Sequence, residues 1–227
     1  MKFPKGRKPT PMPEAANRST ERNIDFPLNT GRIMKIYIEN YKQIQKPGEN
    51  NKSAIHRLQP LMLKTALADF PIFSGSNGFP VLQERTPAGK PYLPSHPDFH
   101  YNFSDSGDYL VLAVSPKHEI GVDLQKLTPV RAGVIPMAER FFHPEDLALL
   151  RNAKDAEEQL KLFFRIWTIK EAYLKCTGEG LSGGLNRCPV CLAASQIGGL
   201  PFLEMAPPKT GYVLTVCESL PISSLPL

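Results

Sequence analysis

The chain has 227 residues, 41% of them hydrophobic and 22% charged, with a net charge of +5. That composition fits a soluble globular protein with a sizeable core, and no apolar run approaches the length of a membrane span. Seven Lys and Arg against three Asp and Glu fall in residues 1–33, and the remainder carries twenty against nineteen, so the basic character is mostly a tail. With no basic stripe and interleaved aromatics in the body, nucleic acid is set aside as a partner.

Residues 1–33 are rich in proline and polar side chains and lack the apolar segment of a secretory signal. Their acids and prolines are also unlike a transit peptide. The expectation is a disordered basic extension, with the functional chain starting at Met34, and a cytoplasmic location. Residues 33–38 then predict a strand. Residues 61–70 predict a helix with Pro60 at its start. Residues 71–100, with GSNGFP, TPAGKP and LPSHP, are turn-rich. Strands are expected at 109–114 and 119–124. HPEDLALLRN predicts a helix opening at Pro144, with acids in its first turn. A long helix runs over 155–176 and stops near Gly178, and a last strand covers 212–218. The pattern is α+β.

Four cysteines, Cys176, Cys188, Cys191 and Cys217, include one pair at metal-type spacing in CPVC. Without a second such pair, ordinary packing of reduced thiols is the expectation rather than a zinc site.

The long helix poses the functional question. At 100° per residue, Phe163, Phe164, Trp167 and Leu174 all fall within about 60° of Leu160, and Glu171 lands near the centre of that stripe. A carboxylate on a core face requires a cation or hydrogen-bond donors. In IGVDLQKL, strand alternation sends Val122 and Leu124 to the core and Asp123 with Gln125 to the opposite face. Asp123, Gln125 and Glu171 then form an oxygen set suited to Mg²⁺, which takes one or two carboxylates, waters and substrate phosphates. Lys170 and Lys175 flank Glu171 and would face the same phosphates. The plainer reading is a strand-end aspartate and a Glu171–Lys175 helix pair. Glu171's place in the apolar stripe favours the site.

These stretches resemble the 4′-phosphopantetheinyl transferase family. GVDLQ, followed some forty residues later by WTIKEAYLKCTGEGL, is similar to the family's paired signature. Trp167, Thr168, Lys170, Glu171, Ala172, Lys175, Gly178, Gly180 and Leu181 fill the fixed positions of its second part. GKPYLPSHPDFHYNFSDSGDY at 89–109 resembles the GKP…FNxSHSG segment, and ERFFHPED at 139–146 resembles RFFxxE. SAIHRLQPLMLKTAL at 53–67 is a looser match to an early helix carrying His-Arg. The resemblance covers most of residues 53–218. It is to the longer, single-chain type that activates peptide and polyketide synthetases.

The resemblance implies transfer of the 4′-phosphopantetheine arm of coenzyme A to a serine of an acyl or peptidyl carrier protein, with release of 3′,5′-ADP. It implies Mg²⁺, or Mn²⁺, held by Asp123, Glu171 and Gln125. It makes Glu171 the base and Lys175 the helper of the leaving phosphate. Lys90, Ser104, Asp105, Lys170, Lys175 and Arg57 are the implied coenzyme A contacts. It also implies a monomer of two similar α/β halves about a pseudo-twofold axis, residues 34–116 and 117–227, each with a small antiparallel sheet packed against helices. Two positions depart from the pattern. Asp105 stands where the family has histidine, and Gln125 where a second acid is frequent. The expectation for Asp105 is that Lys90 or Lys170 neutralises it. The alternative function is a degenerate relative that binds coenzyme A or carrier proteins without transfer.

Overall fold

The computed structural model describes residues 34–73, 82–131, 133–180 and 184–219. The expected extension at 1–33 and Leu181 of the signature lie outside them.

The first strand, β1 (Lys35–Asn40), begins directly after Met34. The first helix, α1 (Asn51–Ala68), starts ten residues earlier than Pro60 suggests, and Pro60 lies inside it. Asn50 is the reason for the early start: its side chain caps the helix by accepting from the Ser53 N–H. Ile55, Leu58, Met62 and Leu63 then continue one buried face through the proline. That tertiary packing outweighs the missing N–H of Pro60.

Two short strands, β2 (Glu84–Arg85) and β3 (Pro91–Tyr92), form a hairpin within the turn-rich region. Then come β4 (His100–Ser106), β5 (Tyr109–Ser115) and β6 (Ile120–Lys126). Two helices follow, α2 (Val134–Phe141) and α3 (Pro144–Arg151), the latter with Pro144 in its first turn. The long helix, α4 (Ala156–Thr177), is capped by the Asp155 side chain and closed by Gly178 at φ 74°. Glycine carries that left-handed cap without a Cβ clash. Four strands finish the chain: β7 (Val190–Cys191), β8 (Gln196–Ile197), β9 (Leu200–Met205) and β10 (Tyr212–Glu218).

Apart from the β2–β3 hairpin, the strands form two antiparallel sheets, in the orders β1-β5-β4 and β6-β10-β9-β8-β7. Helix α1 covers one face of the first sheet through Leu58, Leu63, Tyr101, Leu110 and Leu112. The other face shares a core with the second sheet: Ile36, Ile38, Val111 and Ala113 meet Ile120, Val122, Leu124 and Val216. Helix α4 packs on β6 and β10, and α2 and α3 join it in a third, aromatic cluster around Phe142, Phe163 and Phe164. The fold is therefore α+β with antiparallel sheets. No helix among the described residues is long and apolar enough to cross a membrane.

Strand β6 is covered on both faces. Ile120, Val122 and Leu124 enter the core shared by the sheets, while Gly121 and Asp123 lie beneath α4. Glycine is required at 121, because a Cβ there would sit 2.1 Å from the Ala172 carbonyl oxygen and 2.4 Å from the Cys176 nitrogen. The helix backbone thus rests directly on the strand. Across the sheet, Cys217 stands opposite Gly121 and Thr215 opposite Asp123. Cys217 packs against Cys176 and Ala172, and Thr215 Oγ1 lies 3.1 Å from Thr168 Oγ1.

Candidate active site

The helical wheel of α4 needs a correction. The deepest stripe is Ile166, Ile169, Ala172 and Cys176, each 1% exposed or less, and it faces the sheet. The aromatic stripe around Leu160, Phe163 and Trp167 faces α2 and α3 instead, where Phe141 and Phe142 meet Trp167. Glu171 lies on that second side and is half-buried. Its pKa is raised, first by burial and then by Asp123, with Lys175 opposing.

Asp123 is 2% exposed. Its Oδ1 accepts from Ser104 Oγ at 3.0 Å and from Lys175 Nζ at 2.7 Å, and its Oδ2 accepts from Gln125 Nε2 at 3.2 Å. Lys175 also donates to the Val122 carbonyl at 3.0 Å and to Ser104 Oγ at 3.2 Å. Asp123, Gln125, Ser104 and Lys175 are therefore one hydrogen-bonded group, and Glu171 shares its electrostatic field.

Strand β4 reaches this group in a way the sequence reading missed. Asn102 Oδ1, Ser104 Oγ and Ser106 Oγ accept from the N–H groups of Val122, Leu124 and Lys126, at 3.1, 3.1 and 3.0 Å. Alternate side chains of one strand thus satisfy alternate amides of the next, and this ladder joins the two sheets. The signal was present as period-two polar residues in NFSDS. Ser104, expected on the coenzyme A phosphates, instead has its hydroxyl committed inside the protein to Asp123, Leu124 and Lys175.

Other expected contacts separate from the group. Lys170 is 1% exposed and pairs with Asp146 at 2.7 Å. It also donates to the Cys188 carbonyl and lies 5.9 Å from the Phe142 ring centroid. Burial lowers its pKa despite Asp146. It is a buried strut between α3 and α4, turned away from Lys175, so the expectation that it faces the phosphates is corrected. Arg57 is also displaced from its expected role. Its guanidinium holds Glu49 at 2.9 Å and the Ile44 carbonyl at 3.1 Å, and holds the Glu49 carboxyl down to about 2. Gln59, two residues along α1, lines the cleft instead.

That cleft, about 300 Å³, lies between the β2–β3 hairpin, β4 and the end of α4. Arg85, Lys90, Phe103 and Lys175 line it, with Gly178 and Gly180. Arg85 was not singled out from sequence, because a lone arginine in a turn-rich stretch carries no pattern. Asp105 is exposed on β4 beside the group. Partial burial raises its pKa, with Lys175 pulling it down and Asp123 pushing it up. The cation that acts on it is Lys175, which is itself paired with Asp123, while Lys90 pairs with Glu119 and Lys170 with Asp146.

Among the described residues no three His, Cys, Asp or Glu side chains cluster as a metal site. The cysteines do not form one: Cys176 and Cys217 are buried together, while Cys188 is half-buried and Cys191 exposed. The oxygen set of Asp123, Glu171 and Gln125 does fit a hard divalent ion. Burial and then the Asp123 charge raise the pKa of Glu171, with Lys175 opposing, which is the charge balance an added cation would relieve.

Residues 119–217, which carry β6, α4 and β10, match the family model described as the 4′-phosphopantetheinyl transferase superfamily. That segment is similar to the 4′-phosphopantetheinyl transferase superfamily. It is 44% identical over 104 residues to a 4′-phosphopantetheinyl transferase of Bacillus subtilis, covering 46% of this chain and 44% of that one. It is 33% identical over 141 residues to the 4′-phosphopantetheinyl transferase Sfp of Bacillus subtilis strain 168, covering 59% and 61%. To the human L-aminoadipate-semialdehyde dehydrogenase-phosphopantetheinyl transferase it is 36% identical over 113 residues, covering 46% and 37%. The chain thus matches between about two fifths and three fifths of the length of these phosphopantetheinyl transferases.

Proposed function

We propose that this chain transfers the 4′-phosphopantetheine arm of coenzyme A to a serine hydroxyl of an acyl or peptidyl carrier protein, releasing 3′,5′-ADP. The observation that carries the reading is the convergence of Asp123, Glu171 and Lys175 beside a cleft lined by Arg85 and Lys90, within the segment that matches the superfamily. Transfer requires charge neutralisation on the pyrophosphate, a base for the serine and stabilisation of the leaving phosphate. Asp123, Glu171 and the Gln125 amide oxygen would hold Mg²⁺ or Mn²⁺, whose charge would neutralise phosphate oxygens.

The chain's own residues do the rest. Glu171, with its proton affinity raised by burial and Asp123, accepts the serine proton. The serine oxygen bonds to the phosphorus that carries the pantetheine arm, and the bond from that phosphorus to the 3′,5′-ADP moiety breaks. Lys175 stabilises the departing phosphate, held in place by Asp123 and the Val122 carbonyl. Arg85 and Lys90 bind phosphate oxygens from the hairpin side. We further assign residues 34–116 and 117–227 as two pseudo-symmetric halves of a monomer, supported by a sheet and a long helix in each.

The test is mass spectrometry of apo carrier proteins from fatty-acid, polyketide and peptide synthesis, incubated with this chain, coenzyme A and Mg²⁺. A gain of one phosphopantetheine arm supports transfer. Coenzyme A or carrier binding without that gain supports a non-catalytic relative.

A further inference from the structure

Lys90 is anchored more firmly than a loop lysine needs to be. Its side chain is 11% exposed. Its stem passes over the helix-closing glycine: a Cβ at Gly178 would meet Lys90 Cδ at 3.4 Å and Cβ at 3.8 Å. Its ammonium donates to the Cys176 carbonyl at 2.7 Å, at the C-terminal end of α4 where the helix dipole attracts a cation. It also pairs with the Glu119 carboxylate. Glu119 is held from a second side by His100, whose Nδ1 lies 3.1 Å from Glu119 Oε1. Its own backbone is fixed as well, because the Glu119 carbonyl accepts from Cys176 Sγ at 3.3 Å and from the Ser219 N–H at 2.9 Å.

An ammonium has three N–H donors. Two are taken here by fixed acceptors on α4 and on the β5–β6 connection. The third belongs to a residue that lines the cleft. A free lysine would lose rotamer entropy when a phosphate captured it, and a lysine already held loses much less.

Resting on the coenzyme A reading of the cleft, we propose that Glu119 is a positioning residue: braced by His100, it fixes Lys90 with one donor directed at the ligand's phosphates. Glu119 carries a charge of the wrong sign for a phosphate site, so the sign of its effect decides the matter. A positioning role predicts that removing its charge weakens coenzyme A binding, and simple repulsion predicts the reverse.

The experiment is calorimetric titration of coenzyme A, at fixed salt, into wild type, Glu119→Gln, Glu119→Asp, Lys90→Ala and the double variant Glu119→Gln/Lys90→Ala. Glu119→Gln is expected to raise Kd by about two- to tenfold, the cost of immobilising one long side chain at binding. Glu119→Asp recovers part of that loss. In the Lys90→Ala background, Glu119→Gln changes nothing further, because the two act through one interaction. Tighter binding by Glu119→Gln, an unchanged Kd, or an equal loss with Lys90 already removed would each overturn the positioning role. Failure of wild type to bind coenzyme A would instead overturn the reading of the cleft, and the proposal with it.

Discussion

Asp123 and Glu171 share one electrostatic field, in which Asp123 adds to the raised pKa of Glu171 and Lys175 opposes it. If both serve one ion, Asp123→Ala and Glu171→Ala should each reduce transfer on the order of a hundredfold or more. The double variant should lose little beyond either single one, since groups acting as a unit are not additive. Steady-state transfer rates measure this, and near-wild-type activity in either single variant would remove the shared-ion assignment. Lys170 makes the opposite prediction. It and Asp146 are buried, and Asp146 Oδ1 also accepts from the Val190 N–H at 2.9 Å. Lys170→Met strands that carboxylate and should cost about 3–5 kcal/mol in denaturant unfolding. Adding Asp146→Leu should restore part of the loss, leaving the Val190 N–H unpaired at about 1–3 kcal/mol. A Lys170→Met variant with wild-type stability would show that the pair is not the strut described here. Glu119 supplies the pH dependence. His100 and then Lys90 hold its carboxyl down to about 2. A depressed carboxyl contributes stability above its unfolded pKa, near 4.5, and that contribution is lost as pH falls toward about 2. The melting-temperature gap between wild type and Glu119→Gln should therefore be full at neutral pH and close between pH 4.5 and 2. A gap that stays constant across that window would contradict it.

At the scale of elements, α4 shows what the sequence made legible and what it did not. Its span, its Asp155 cap and its Gly178 stop follow from local chemistry, and residues 155–176 were readable within one position. Its facing was not. Period-3.6 patterning finds the bulky stripe, but this sheet takes the small and branched residues, because Gly121 lets the helix backbone come down on β6. The bulky stripe then needed α2 and α3 to cover it, and α2 had no capping side chain to announce it. Glu171 still led to Asp123, because i+4 places Lys175 on the same side of the helix and Lys175 holds Asp123. Strand β10 was readable to the residue, since YVLTVCE is rich in apolar and β-branched residues. Strand β4 was lost in its polar alternation, which turned out to be the ladder to β6. Two variants test this packing. Gly121→Ala drives a methyl into helix backbone at 2.1 Å and should cost about 3 kcal/mol or more. Asn102→Ala leaves the Val122 N–H without its acceptor and should cost about 1–3 kcal/mol. Equilibrium denaturation reads both, and a neutral Gly121→Ala would mean that α4 can lift from β6 at no cost.

Across the whole molecule, the candidate site depends on two sheets holding one relationship, and the distribution of the core says how firmly. Ser104 comes from the first sheet, Asp123 from the second, and Lys175 from the helix beyond it, yet they share hydrogen bonds of 2.7–3.2 Å. Side-chain bonds alone would not fix that geometry, because each is worth only about 1 kcal/mol net. The larger contribution is apolar. Ile36, Ile38, Val111 and Ala113 from the first sheet are buried against Ile120, Val122, Leu124, Leu214 and Val216 from the second. Several of these are fully inaccessible. At roughly 25 cal/mol per Å² of apolar surface, separating the two sheets would expose a large share of each sheet's own core. Neither sheet can then unfold without stripping the other. Unlike two domains joined by a polar interface, which would melt in steps, this arrangement should give one cooperative transition. Differential scanning calorimetry should return a calorimetric enthalpy equal to the van't Hoff enthalpy, with the far-ultraviolet signal and Trp167 fluorescence changing together. Trp167 reports on the α2–α4 cluster and the far-ultraviolet signal on all elements, so a separation between the two curves would reveal a C-terminal half that melts by itself. In that case the shared core would be too weak to hold Ser104 against Asp123, and the site would be assembled by its ligands rather than presented to them.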